Sequence, residues 1–171
     1  MNKNSFTLIE ILVAVAIFVS VVTVASTIFV SALRAQRQSL AYQQLLDQTS
    51  YLMEYMSRTI RMAGKDINGT CIAAKLNYDF VNQCLKFKNY HGDCQEFCLE
   101  GTRIKEIKEG VENYLTSPDL KVNSFSVTLT GETQYDNLQP LVSIFLNIEG
   151  KEQSKIQIKT SISQRDLDVR R

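Results

Sequence analysis

Phe6-Thr7-Leu8-Ile9-Glu10-Ile11-Leu12-Val13-Ala14-Val15-Ala16-Ile17-Phe18-Val19-Ser20 opens an apolar run that carries no charged residue from Ile11 to Val30. About 20 apolar residues in a helix rise roughly 30 Å, enough to cross the hydrocarbon core of a bilayer. A secretory signal has a shorter apolar region, roughly 7–15 residues, closed by a small-residue cleavage site. This run is longer and rich in Ala and β-branched residues, so it reads as retained. Glu10 is the anomaly within it. A carboxylate costs about 2.5–3.5 kcal/mol at mid-bilayer on insertion scales and less near the surface. Either it sits at the interface with its oxygens in water, or it is kept because it meets a positive partner.

The helical pattern continues beyond the run. Leu45, Thr49, Leu52, Met56, Ile60 and Ala63 recur at three- and four-residue steps, the spacing of one helix face. Arg37, Gln44, Asp47, Glu54 and Arg58 fall off that face. Neither Pro nor Gly occurs between Phe6 and Ala63, and Gly64 supplies a C-terminal stop. The reading is one helix of roughly 55–60 residues, about 85 Å long, apolar all round in its first half and amphipathic in its second. A coiled coil would need strict heptads, which the stripe lacks. The amphipathic half is expected to pack on a head domain of its own chain.

Turn signals at Asn68-Gly69, His91-Gly92-Asp93 and Ser117-Pro118-Asp119 make residues 65–119 read as irregular. Short strand candidates lie among them at Leu85–Tyr90 and Arg103–Ile107, and Val111–Leu115 reads as a strand or a helical turn. After Pro118 the pattern clears. Val122–Leu129 has Phe125, Val127 and Leu129 on one face, and Leu141–Ile148 is more fully apolar and therefore central. Ser154–Ile162 has Ile156, Ile158, Thr160 and Ile162 on one face. These three are expected as an antiparallel meander on the helix, giving an α+β fold with an antiparallel β-sheet head. Residues 164–171 form a charged tail, expected to be loosely ordered.

The chemistry of the chain is sparse. A net charge of +1 over 171 residues, with mixed signs and no basic block, gives no pull toward nucleic acid. The one histidine, His91, sits in a turn before Gly92, and no nucleophile motif or phosphate loop accompanies it. Glu106, Glu109 and Glu112 read as a solvated face rather than a catalytic pair. No enzyme, cofactor or metal is expected. Cys71, Cys84, Cys94 and Cys98 fall within 28 residues, an even number suited to two disulfides with three possible connectivities. The rival is zinc held by His91, Cys94 and Cys98 with Cys84 or Cys71, but the nearest cysteine pair lacks the tight Cys-x-x-Cys spacing.

Ser5-Phe6-Thr7-Leu8-Ile9-Glu10 ahead of the apolar run resembles the leader of type IV pilins and type II secretion pseudopilins. In that family a short basic leader is removed before the phenylalanine by a membrane peptidase that then N-methylates the new terminus. The resemblance implies cleavage between Ser5 and Phe6, methylation of Phe6, and Glu10 as the acid that meets a neighbouring subunit's terminal amine and fixes subunit register. Glycine usually precedes the cut, and Ser5 stands there instead. Leu115-Thr116-Ser117, Gln139-Pro140 and Thr160-Ser161-Ile162-Ser163-Gln164-Arg165 are similar to minor subunits of the W/J type.

The implied organisation is a leader at 1–5, a membrane or filament-core half-helix at 6–33, an amphipathic half at 34–64, and a β-rich head with a cysteine-containing loop region at 65–171. The implied role is a minor pilin or pseudopilin that primes or caps a filament. Its partners would be other subunits, the peptidase/methyltransferase, the assembly platform and the cytoplasmic membrane, with the head outside the cytoplasm. Two alternatives stand beside it: a membrane-anchored binding domain that never polymerises, and a bulk pilus subunit. The flanking basic residues Lys3, Arg34 and Arg37 do not set orientation, which rests on the resemblance.

Overall fold

A computed structural model describes residues 7–134, 136 and 138–165. The chain forms two compact units, one up to Leu40 and one from Ala41 onward. Helix α1, Leu8–Arg61, begins in the first and ends in the second.

In the first unit every described residue of α1 is exposed, including Leu8, Ile17, Phe18 and Phe29. Five hydroxyls interrupt the apolar run, and each donates back to its own helix. Ser20, Thr23 and Ser26 reach the carbonyls of Ala16, Val19 and Val22 at 2.8 Å. Thr27 and Ser31 reach those of Val24 and Ile28 at 2.7 and 2.8 Å. Such back-bonding leaves no hydroxyl proton needing water, which suits a helix surrounded by hydrocarbon.

In the second unit α1 buries Ala41, Leu45, Thr49, Leu52, Met53, Met56 and Ile60, the face the sequence spacing picks out. The head against it has two antiparallel sheets. The first is a five-stranded meander of β1 (Tyr78–Val81), β2 (Cys84–Lys88), β3 (Cys94–Glu100), β4 (Arg103–Lys108) and β5 (Val111–Tyr114). The second is the expected three-stranded meander of β6 (Lys121–Thr130), β7 (Leu141–Glu149) and β8 (Lys155–Ser163), with β7 central. One core joins them. Leu52, Met56 and Ile60 of the helix share it with Leu85, Phe87, Phe97 and Ile104 of the first sheet and Val142, Ile144, Leu146 and Ile148 of the second.

Local chemistry explains the details. Glu109 and Gly110, both at positive φ, make the two-residue turn between β4 and β5, the geometry that matches strand twist and favours glycine. In β6 the pairing slips between Val122 and Ser124. Val122 and Phe125 are three apart and would face opposite ways in a regular strand; the bulge turns both inward, at 1% and 2% exposure.

Four expectations are corrected. Residues 78–114 are a regular sheet and not an irregular cysteine loop region. Inward positions such as Gln95 and Glu106 are polar, which hides the alternation that marks a strand. Glu106 is accordingly buried rather than solvated: its Oε1 accepts from the Tyr55 hydroxyl at 2.8 Å and from the Gln95 amide. Burial, with Glu106 accepting its proton, pushes the Tyr55 hydroxyl up to about 12.

The helix also does not stop on a left-handed Gly64, whose φ is not positive. Its last carbonyls are taken by distant groups instead. The Tyr78 hydroxyl donates to Ile60 at 2.8 Å, the Arg165 amide to Arg61 at 2.7 Å, and the Gln164 side chain to Ala63 at 2.8 Å. Gln164 and Arg165 thus leave the loose-tail reading; residues 166–171 lie outside the described ones.

Candidate functional site

The first site residue inside the described chain is Thr7, immediately before α1. Its carbonyl accepts from the Glu10 amide at 3.1 Å and from the Ile11 amide at 3.3 Å, and its hydroxyl accepts from the Glu10 amide at 3.4 Å. Thr7 and Glu10 therefore stand three apart as N-cap and N3, the spacing of a capping box. An acid in the first turn also suits the positive end of the helix dipole. Membrane cost and pairing are not the whole of Glu10's place in the sequence: the Thr-x-x-Glu spacing of Thr7 and Glu10 is itself the signal of this cap.

Local structure uses the position of Glu10 without neutralising it. No described residue forms an ion pair with its carboxylate. Ile11, Ala14, Val15 and Phe18 line a shallow apolar groove beside it. The acid thus heads an open apolar strip, on a helix whose apolar stretch is long enough to span a bilayer. Ser5 and Phe6, the expected cleavage and methylation positions, lie outside the described residues.

Residues 1–26 match the prokaryotic N-terminal methylation motif. The chain carries a prepilin leader signal. That signal runs into a bare apolar helix, and the two together fit a membrane-anchored, type IV pilin-like precursor. Comparison with curated proteins and with solved structures gave no match. The leader signal implies processing by a prepilin peptidase and assembly with other pilins.

The second candidate site, the four cysteines of this prepilin-like chain, resolves into two disulfides, Cys71–Cys94 and Cys84–Cys98. Strand register chooses the second pair. Cys84 and Cys98 are direct cross-strand partners of β2 and β3, with Cα atoms 4.0 Å apart. Cys94, at the start of β3, reaches the loop before β1, where Cys71 lies 5.1 Å away by Cα. The zinc reading gives way, because sulfurs bonded to each other are not thiolate ligands. Donor atoms of Cys84, Glu96 and Cys98 do lie within 4.8 Å of one another, but two of the three are one disulfide. His91 lies against Tyr90, with the rings tilted by 40° and their centroids 3.7 Å apart.

The three short head segments act as fasteners. The Thr116 hydroxyl accepts from the Ile104 amide at 3.1 Å, and its carbonyl accepts from Arg103 Nε and Nη2, at 3.1 and 2.7 Å. Ser117 donates to Gln48 on the helix at 2.9 Å. Gln139 donates to the Gln164 carbonyl at 2.7 Å, and the Gln164 amide donates to Pro140 at 3.0 Å. Their positions are explained by closing the head around the end of α1.

Proposed function

We propose that the protein is a minor pilin or pseudopilin, a structural subunit without catalytic activity that primes or caps a type IV pilus or type II secretion filament. The observation that carries this reading is the methylation motif running into the exposed apolar part of α1, whose one acid, Glu10, has no described cation. Cleavage after Ser5 leaves Phe6 with a positive, methylated amine. In a filament core of low dielectric, that amine on one subunit and Glu10 on the next are each costly alone and favourable together. The pair then fixes axial register. The helix waits in the cytoplasmic membrane with the head outside, and the assembly platform moves it into the filament. Nucleic acid is not a direct partner.

The likeness of Leu115–Ser117, Gln139-Pro140 and Thr160–Arg165 to the W/J type supports the minor role. So does α1 itself, which runs unbroken where many bulk subunits carry a proline.

The test is processing followed by assembly. Mass spectrometry of the membrane-derived protein should find a terminus at N-methylated Phe6. Glu10→Ala should retain membrane insertion while incorporation into filaments falls at least about tenfold, the loss expected when one charge of a buried pair is stranded. A chain still starting at Met1 beside an active peptidase would favour an anchored domain that never polymerises, whereas normal incorporation of Glu10→Ala would overturn the register role of Glu10. Abundance in sheared filaments equal to that of the fibre subunit would make it a bulk pilin.

A further inference from the structure

Asp66-Ile67-Asn68-Gly69-Thr70 occupies the loop between the end of α1 and β1, and the role proposed above leaves it without a function. The segment contains Asn-x-Thr with x not proline, the pattern read by enzymes that attach sugar to asparagine nitrogen in exported proteins. Its geometry separates the acceptor from the residues around it. Ile67, Asn68, Gly69 and Thr70 are all exposed. Asp66 is wholly buried, and its two oxygens accept from Thr70 N at 3.0 Å, Thr70 Oγ1 at 2.9 Å, Cys71 N at 2.7 Å and Ile72 N at 3.1 Å. Lys88 Nζ stands 3.9 Å from the same carboxylate. Gly69 has φ +70°, and a Cβ there would lie 3.0 Å from Ala74 N.

Loop closure therefore accounts for Asp66, Gly69 and Thr70. It does not account for asparagine at 68, whose side-chain amide is hydrogen-bonded to no described residue. We propose that Asn68 is the attachment site of an N-linked glycan, added before this loop closes. The proposal rests on the reading that the head lies outside the cytoplasm, where such transfer occurs.

The donor class is a lipid-pyrophosphate-linked oligosaccharide. Asn68 Nδ2 bonds to the sugar's C1, the C1–O bond to phosphate breaks, the lipid pyrophosphate departs with that electron pair, and Nδ2 gives up one proton. A transferase reads the hydroxyl two residues after the acceptor, and a cationic site on it can read the acid two residues before. In the closed loop both groups are spent on each other, with the Thr70 hydroxyl donating to Asp66. Recognition therefore takes the segment while it is still extended, before Cys71 bonds to Cys94 one residue beyond Thr70. When the loop closes, Asn68 stays outside and the glycan projects into solvent.

The experiment is peptide and intact-mass spectrometry of the full-length protein purified from membranes of its native host. Sugar is expected on Asn68, absent in Asn68→Gln and Thr70→Ala and retained in Thr70→Ser, which keeps a hydroxyl for both Asp66 and the transferase. The Cys71→Ser/Cys94→Ser double variant holds the loop open longer and should be occupied at least as fully; reduced occupancy would overturn the timing. Bare Asn68, or Asn68 hydrolysed to aspartate, in leader-cleaved and disulfide-bonded protein overturns the glycan and leaves the subunit role intact. Bare Asn68 in reduced protein with an intact leader overturns both.

Discussion

The two parts of α1 solve the same problem in opposite ways. Up to Leu40 each of the five hydroxyls along the apolar stretch is satisfied within four residues of itself, as Thr23 is by Val19. From Ala41 onward the helix depends on partners far away in sequence, such as Tyr78 on Ile60, Ser117 on Gln48 and Gln164 on Ala63. A helix complete in itself can exchange one apolar surrounding for another, lipid for filament, without breaking a hydrogen bond. A helix stitched to a head cannot leave it.

Two carboxylates express the same contrast. Asp66 has four donors from its own chain, while Glu10 has no described cation. One acid completes a fold; the other is left for the neighbouring subunit proposed above.

The sharpest way to break the comparison is to remove a residue from each side. Leu52 is 1% exposed in the shared core. Leu52→Ala should cost about 2–5 kcal/mol of head stability through lost burial and the cavity left behind. Denaturant unfolding of the full chain in detergent, followed by near-UV circular dichroism, would report it, while carbonate-resistant membrane insertion stays unchanged. Lost insertion would mean that the two parts are coupled.

A smaller effect comes from acid. Burial alone would raise the Asp66 carboxyl, but the Cys71, Thr70 and Ile72 amides and the Thr70 hydroxyl overcome it and hold the group well below the usual carboxylate range. Below the ordinary value of 3.8 the unfolded chain binds the proton and the folded chain does not. The stabilisation is thus present above that value and lost as pH falls through the depressed folded one. Melting temperature should drop on titration from about pH 5 to about pH 2, and Asp66→Asn should lower it at neutral pH while flattening that slope. An unchanged slope would mean that other carboxylates carry it.

The smallest effect is expected at Thr23. Its hydroxyl serves only its own helix, so Thr23→Val should change stability by no more than about 0.5 kcal/mol and leave filament incorporation intact. A clear assembly defect would show that the hydroxyl serves a neighbouring subunit, and the first half of α1 would no longer count as self-sufficient.

By itself the sequence determined the features that rest on local period and composition. A charge-free run of apolar residues can only be a buried or membrane-spanning helix, and the Leu45-to-Ile60 stripe has one periodicity. Alternation in β6, β7 and β8 specifies a half-buried meander, with Leu141–Ile148 at its centre because both neighbours cover it. Tertiary structure decided what depends on residues meeting from a distance. β3 was illegible because inward Gln95 looks wrong for a core until Glu106 and Tyr55 stand beside it. The cysteine pairing waited on the register that sets Cys84 against Cys98. The end of α1 waited on Tyr78, Gln164 and Arg165, because an orphan carbonyl can be capped by any donor the fold delivers, and sequence order does not say which arrives.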